Sequence, residues 1–140
     1  MEQRYDTYNH AKYCIRYHII LSVKYHKRIL RHMIDDLKES FRRAEISDGR
    51  WTIESMETDL KEKKDHHVHL MVKSKPDVAP SVIVSELKQF STIDMWNTHH
   101  MLLSRNFWNG KHHLWTRGYF CVTIGDASKD TIRKYIETQG

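Results

Sequence analysis

Apolar positions along this chain fall into two alternating periods, and the elements can be read from them. Residues 13–24 (YCIRYHIILSVK) are dense in β-branched and aromatic types and predict a strand. Residues 29–46 carry Leu30, Met33, Ile34, Leu37, Phe41 and Ala44 at helical spacing, and Ser47-Asp48-Gly49 supplies the stop. A strand follows over 51–58, opened by Trp51 and Ile53, with its alternation lapsing near Met56. The charged run from Asp59 to Asp65, holding Lys61, Lys63 and Lys64, reads as a hairpin, and 67–73 (HVHLMVK) alternate cleanly as its second strand. Pro76 and Pro80 bound a loop. A helix over 81–91 turns Ile83, Val84, Leu87 and Phe90 inward, and a second helical piece covers 92–104. Residues 105–113 are irregular and basic, and 114–124 (LWTRGYFCVTI) predict another strand. Ser128 can cap a last helix from about residue 129, with Asp130 in its first turn.

The order β-α-β-β-α-(α)-β-α is that of the split βαβ. It predicts an α+β, ferredoxin-like or RRM-like fold: an antiparallel sheet with helices on one face, plus a C-terminal helix. No linker, internal repeat or low-complexity stretch divides the 140 residues, so 1–140 is expected to be a single domain. RNA-binding modules share the layout, so the fold leaves function open.

Charge narrows the choice. The formal charge is +5 with 11% aromatics, and the pI is near 9.2, a balance that suits a nucleic-acid partner. Two cysteines rule out a disulfide scaffold and a cysteine zinc site, and they fit a reducing compartment. The polar N-terminus is no signal peptide, and the longest aliphatic run, Ile19-Ile20-Leu21, is far short of the ~20 residues of a membrane span. A soluble, cytoplasmic protein is expected.

Two constellations could carry chemistry. In His67-Val68-His69, period two sets Val68, Leu70 and Val72 on one face and His67, His69 and Met71 on the other. Two neutral imidazoles side by side can share a divalent metal. His-x-His is a weak motif, however, and two plain exposed histidines in a chain with eleven is the competing reading. The adjacent pairs His66-His67 and His112-His113 should point to opposite faces of a strand, and His99-His100 should lie at the surface. On the last helix, Tyr135 and Gln139 are four apart and share a face. A tyrosine can be a nucleophile and a glutamine oxygen can complete a metal site, but both also fit an apolar-leaning stripe with Ile132 and Ile136.

Taken together, four blocks resemble one family. They are Tyr17-His18-Ile19-Ile20 with Lys24-Tyr25-His26-Lys27-Arg28; Asp65-His66-His67-Val68-His69-Leu70; Leu114-Trp115-Thr116-Arg117-Gly118-Tyr119-Phe120 with Thr123-Ile124-Gly125; and Ile132 through Gln139. In this order they are similar to the small HUH single-tyrosine transposases of bacterial and archaeal insertion sequences, the TnpA type. The resemblance spans nearly the whole chain. It implies a metal-dependent transesterification on single-stranded DNA, in which Tyr135 is the nucleophile and forms a 5′-phosphotyrosine intermediate. It further implies that His67, His69 and Gln139 hold a divalent ion, Mg²⁺ or Mn²⁺, with imidazole ligands suiting Mn²⁺ at least as well. Single-stranded DNA with hairpins at element ends is the implied partner, a homodimer the implied assembly, and nucleoid association the implied setting. The tyrosine helix could act in cis or, by way of Gly125-Asp126-Ala127-Ser128, in trans. No nucleotide cofactor is expected, in keeping with the lack of a GxxxxGK[ST] loop.

The chain departs from the family in places. His66 stands where Asp or Asn usually precedes the first metal histidine, with Asp65 one position back. The middle helix reads Lys88-Gln89-Phe90-Ser91 in place of a more basic run. Relatives often carry a longer tail beyond the position of Gln139, so a short catalytic helix is expected. Candidate phosphate contacts include Lys12, Arg16, Lys24, Lys27, Arg28, Lys61, Lys63, Lys64, Lys111 and Arg117. Of the four tryptophans, Trp51 and Trp115 should be core, while Trp108, in RNFWNGKHH, is the better candidate for stacking on unpaired bases. Three other readings compete: a repeat-associated or replication nuclease with the same HUH site; a non-catalytic RRM-like nucleic-acid-binding module; and a histidine-triad phosphohydrolase, which would need a third alternate histidine where Met71 stands.

Overall fold

The computed structural model describes residues 6–8, 11–59, 64–108 and 110–124. A short hairpin comes first, β1 (Asp6–Tyr8) with β2 (Ala11–Tyr13). The central sheet takes β3 (Ile15–Ser22), β4 (Trp51–Asp59), β5 (Lys64–Ser74) and β6 (Phe120–Thr123) in the order β4-β5-β3-β6, all neighbours antiparallel. Three helices join them: α1 (Ile34–Asp48), α2 (Pro80–Thr98) and α3 (His100–Asn106). This is the expected α+β architecture with the strand order of a split βαβ.

Period two explains why one face is covered. Ile19 and Leu21 of β3, Ile53 of β4 and Val68, Leu70 and Val72 of β5 are all buried, and they pack against Leu37, Phe41 and Ala44 of α1 and Ile83, Val84 and Leu87 of α2. Helix ends follow local rules. Asp35 and Asp36 complement the positive end of α1, and Gly49 closes it at φ 78°, its N–H bonded to the Glu45 carbonyl. Pro80 opens α2, where its missing N–H costs nothing. Trp51 and Trp115 are core as expected, with indole N–H groups donating to Glu86 and Ser91 at 2.9 and 2.8 Å.

Several boundaries differ from the sequence reading. The 81–104 region does not break at 91: α2 runs to Thr98, and the chain turns at His99, whose ring is tied to Asp36 of α1 at 2.6 Å. The strand expected over 114–124 is confined to Phe120–Thr123. Trp115 makes only a single bridge to Val23. Between that bridge and β6, the Lys88 ammonium reaches from α2 and donates to three successive carbonyls, Thr116, Arg117 and Gly118, at 2.8, 3.2 and 3.0 Å. A side chain of α2 thus holds the loop that separates the bridge from β6. The helix expected from about 129 lies outside the described residues.

Candidate functional site on the open face of the sheet

The face of the sheet turned away from the helices carries the histidines. His67 and His69 stand on it from β5, with Ile20 and Ser22 beside them from β3. Together with Thr116, Gly118, Tyr119 and Phe120 these residues line a cavity of about 470 Å³. Both histidines therefore face one cavity, as period two predicts. On its other side His69 meets a second depression of about 390 Å³, lined also by His18, Ser55, Glu57 and Met71.

The start of β5 is less regular than alternation predicts. Thr58 pairs with Val68, but the next pair is Asp59 with Lys64, so β5 carries extra residues at 65–67. Strict alternation from Val68 would send Asp65 outward. Instead its side chain is 0% exposed, gripped by Nε of Arg28 at 2.9 Å and Nε of Arg31 at 2.7 Å. Those guanidiniums, Arg31 first, hold the Asp65 carboxyl well below the usual carboxylate range. The bulge also corrects the expectation that His66 and His67 point apart: their rings approach to 4.0 Å between centroids, and His26 stacks on His66 at 4.7 Å.

Two residues to which the sequence reading gave no role at the site contact it here. His18 places Nε2 3.2 Å from Nδ1 of His69. The signal was available, since His18 shares the open face with Ile20 and Ser22 by the same period two. Lys88 is the other. Burial lowers its pKa, and it pins the 116–118 loop that walls the cavity. No sequence pattern announces a lysine that serves carbonyls on a distant loop.

The expected DNA contacts divide into two groups. Arg28 is engaged by Asp65, and Arg16 by Glu54 at 2.7 Å, so both guanidiniums have structural work. Lys24 and Lys111 lie near His113, and Lys27 meets Trp108. Lys27 lies 5.6 Å over the ring of Trp108, which is 64% exposed, and Lys24 lies 5.4 Å over Tyr25, 68% exposed. Tyr25 and His26 reach this surface from left-handed backbone, φ 60° and 52°. The field is positive enough that Lys24 and Lys111, after burial, help lower the pKa of His113. Arg117 is exposed beside the cavity loop. Lys61, Lys63 and the side chains of Lys12 and Lys64 lie outside the described residues, as do Tyr135, Gln139 and the 125–128 approach.

The donor set is suited to a metal but is partial. Two imidazoles on one wall match a borderline divalent ion. Among the described residues no group of three His, Cys, Asp or Glu could hold a metal alone, so a further donor is required. No described helix is long and apolar enough to cross a membrane.

Comparison with known proteins fixes the family. ISDra2 transposase TnpA of Deinococcus radiodurans is 30% identical over 128 residues, 91% of this chain and 85% of that protein. Two solved structures share the fold. One, from D. radiodurans R1 and assigned as a transposase, has a TM-score of 0.72 at 24% identity, covering 96% of this chain and 97% of that one. The other is a REP-associated tyrosine transposase bound to a REP hairpin, with a TM-score of 0.54 at 14% identity, covering 94% and 69%. With the family model described as "Transposase IS200 like" matching residues 11–139, the chain belongs to the IS200-like transposase family.

Proposed function

We propose that this transposase cuts and rejoins single-stranded DNA at the ends of its element, by a metal-dependent transesterification through a 5′-phosphotyrosine on Tyr135. The observation that carries the reading is the placement of His67 and His69 together on one cavity wall, in a chain of a transposase family. Tyr135 attacks the scissile phosphate, the 3′-oxygen leaves as a free hydroxyl, and a later 3′-OH reverses the step. The bond energy is kept, so no nucleotide cofactor is consumed.

His67, His69 and Gln139 would hold Mg²⁺ or Mn²⁺. Such an ion supplies Lewis-acid polarisation of the phosphate and charge stabilisation on the departing oxygen. An unperturbed tyrosine has a pKa of about 10 and is mostly protonated at neutral pH, so a nearby dication would ease the ionisation of the attacking phenol. The protein's own groups do the rest. Tyr119 and Phe120 wall the cavity on the side away from β5 and offer ring surface to an unpaired nucleotide. Lys24, Lys27, Lys111, Arg117 and Trp108 would take the flanking strand, with phosphates on the cations and a base on the indole. Hairpins at the element ends are the proposed recognition feature. The hairpin bound by the structurally similar REP-associated protein supports this. A homodimer and action at the nucleoid complete the proposal.

A covalent-adduct assay tests it. The protein is mixed with single-stranded oligonucleotides spanning the flanks of its own gene, with Mn²⁺, and run on a denaturing gel beside Tyr135→Phe, His67→Ala and a duplex control. An adduct that requires Mn²⁺, single strands, Tyr135 and His67 is expected. An adduct that survives Tyr135→Phe would move the nucleophile, with Tyr119 in the cavity wall as the next candidate. Metal-independent binding without any adduct would replace the enzyme by a binding module.

A further inference from the structure

We propose that His18 is a positioning residue for the catalytic site: it fixes the tautomer and orientation of His69, so that His69 takes metal through Nε2. The inference rests on the reading of His69 as a metal ligand and adds a residue to that site.

The geometry begins with register. β3 and β5 pair antiparallel with Ile20 opposite His69 and His18 opposite Met71. His18 and His69 are thus diagonal neighbours on the open face, a separation that long or aromatic side chains bridge. The contact is close, Nε2 of His18 to Nδ1 of His69 at 3.2 Å, with the rings 5.4 Å apart at 29°. Phe120 of β6 lies edge-to-face with His18 at 6.2 Å and 79°, so the ring that meets His69 is itself braced from the neighbouring strand on the other side.

A hydrogen bond between two imidazoles needs one donor and one acceptor. If His18 donated, Nδ1 of His69 would be the acceptor and its Nε2 would carry the proton, which blocks metal coordination there. If His69 donates from Nδ1–H, its Nε2 holds a lone pair that can bind an ion. Metal binding therefore selects the second arrangement, with His18 protonated on Nδ1 and accepting at Nε2. This is the usual division of labour at histidine metal sites, where the non-ligating nitrogen is held by a neighbouring acceptor. The acceptor here is another imidazole, placed by strand register and not by any nearby residue in sequence.

Three full-length variants separate the acceptor from the ring's packing. His18→Phe keeps the ring and removes the acceptor. His18→Gln restores an acceptor oxygen without the ring. His69→Ala removes the ligand. Mn²⁺ alone is the probe, followed by calorimetry and by its electron paramagnetic resonance signal. Long-range ¹H–¹⁵N spectra read the His69 tautomer in the metal-free protein. Wild type is expected to show His69 as the Nδ1–H tautomer. His18→Phe is expected to lose about 10–100-fold in Mn²⁺ affinity and to shift His69 toward Nε2–H, with thermal stability close to wild type. His18→Gln should recover most of the affinity. Unchanged Mn²⁺ affinity in His18→Phe, or an Nε2–H tautomer in wild type, overturns the role of His18 while leaving the metal reading intact. Mn²⁺ affinity unaffected by His69→Ala overturns both.

Discussion

The two faces of β5 make opposite use of one strand. Val68, Leu70 and Val72 point toward the helices and are at most 1% exposed. His67, His69 and Met71, offset by a single residue, point the other way and stay partly open to solvent. The inward residues decide whether the sheet exists. The outward ones can be polar and titratable, because the packing beneath them does not depend on their identity. A rigid, fully covered underside is also what holds the two imidazoles in fixed relation on top. Site and core are thus separable by mutation although they alternate along a few residues of chain.

The sharpest way to break that contrast is to substitute neighbours of opposite parity. Leu70→Ala should cost about 2–5 kcal/mol in stability, the range for a fully buried leucine, read by denaturant unfolding. His69→Ala should leave the unfolding midpoint near wild type and remove Mn²⁺-dependent adduct formation. A comparable loss of stability in both variants would mean that the open face also supports the fold.

The next test concerns the start of β5, where the parity fails. Asp65 is inward because Arg28 and Arg31 hold it. Asp65→Ala should lower the melting temperature by several degrees and, by releasing the bulge, also reduce Mn²⁺ affinity. The guanidiniums are 47% and 45% exposed and keep water, so the loss should fall short of that for a wholly buried ion pair.

A third test stays on the open side. Trp108→Ala should not change stability, since the ring is largely exposed. It should weaken binding of a single-stranded oligonucleotide by about 1–3 kcal/mol if one base stacks there. Fluorescence anisotropy at fixed salt checks it, and equal affinity would remove Trp108 from the DNA surface.

The smallest effect is expected on the covered side, at the end of α1. Arg50 donates to both oxygens of Asp48 and holds its carboxyl below the usual range. A folded pKa below the unfolded value of 3.8 adds stability that is present above pH 3.8 and lost as pH falls through the folded value. Asp48→Asn should therefore flatten the acid limb of the stability profile below pH 3.8, while leaving adduct formation at neutral pH unchanged. An acid limb identical to wild type would show that the pair contributes nothing.

Much of this was legible along the chain, and the particular residues show why. Period two in 67–73 assigned His67 and His69 to one face and Val68, Leu70 and Val72 to the other, since the side chains of a strand alternate by geometry alone. Glycine after Asp48 ended α1 because the backbone there turns left-handed. The order of elements, the basic charge and the family blocks were equally local properties. Tertiary structure alone decided the rest. Register between β3 and β5 brought His18 to His69 across 51 positions of sequence. Two arginines turned Asp65 inward against its parity. The reach of Lys88 from α2 pinned the loop before the last strand through the carbonyls of 116–118. Each of these is a polar group satisfied by a partner distant in sequence. Hydrophobic period carries no record of such pairings, because it states which face is buried and not which donor meets which acceptor.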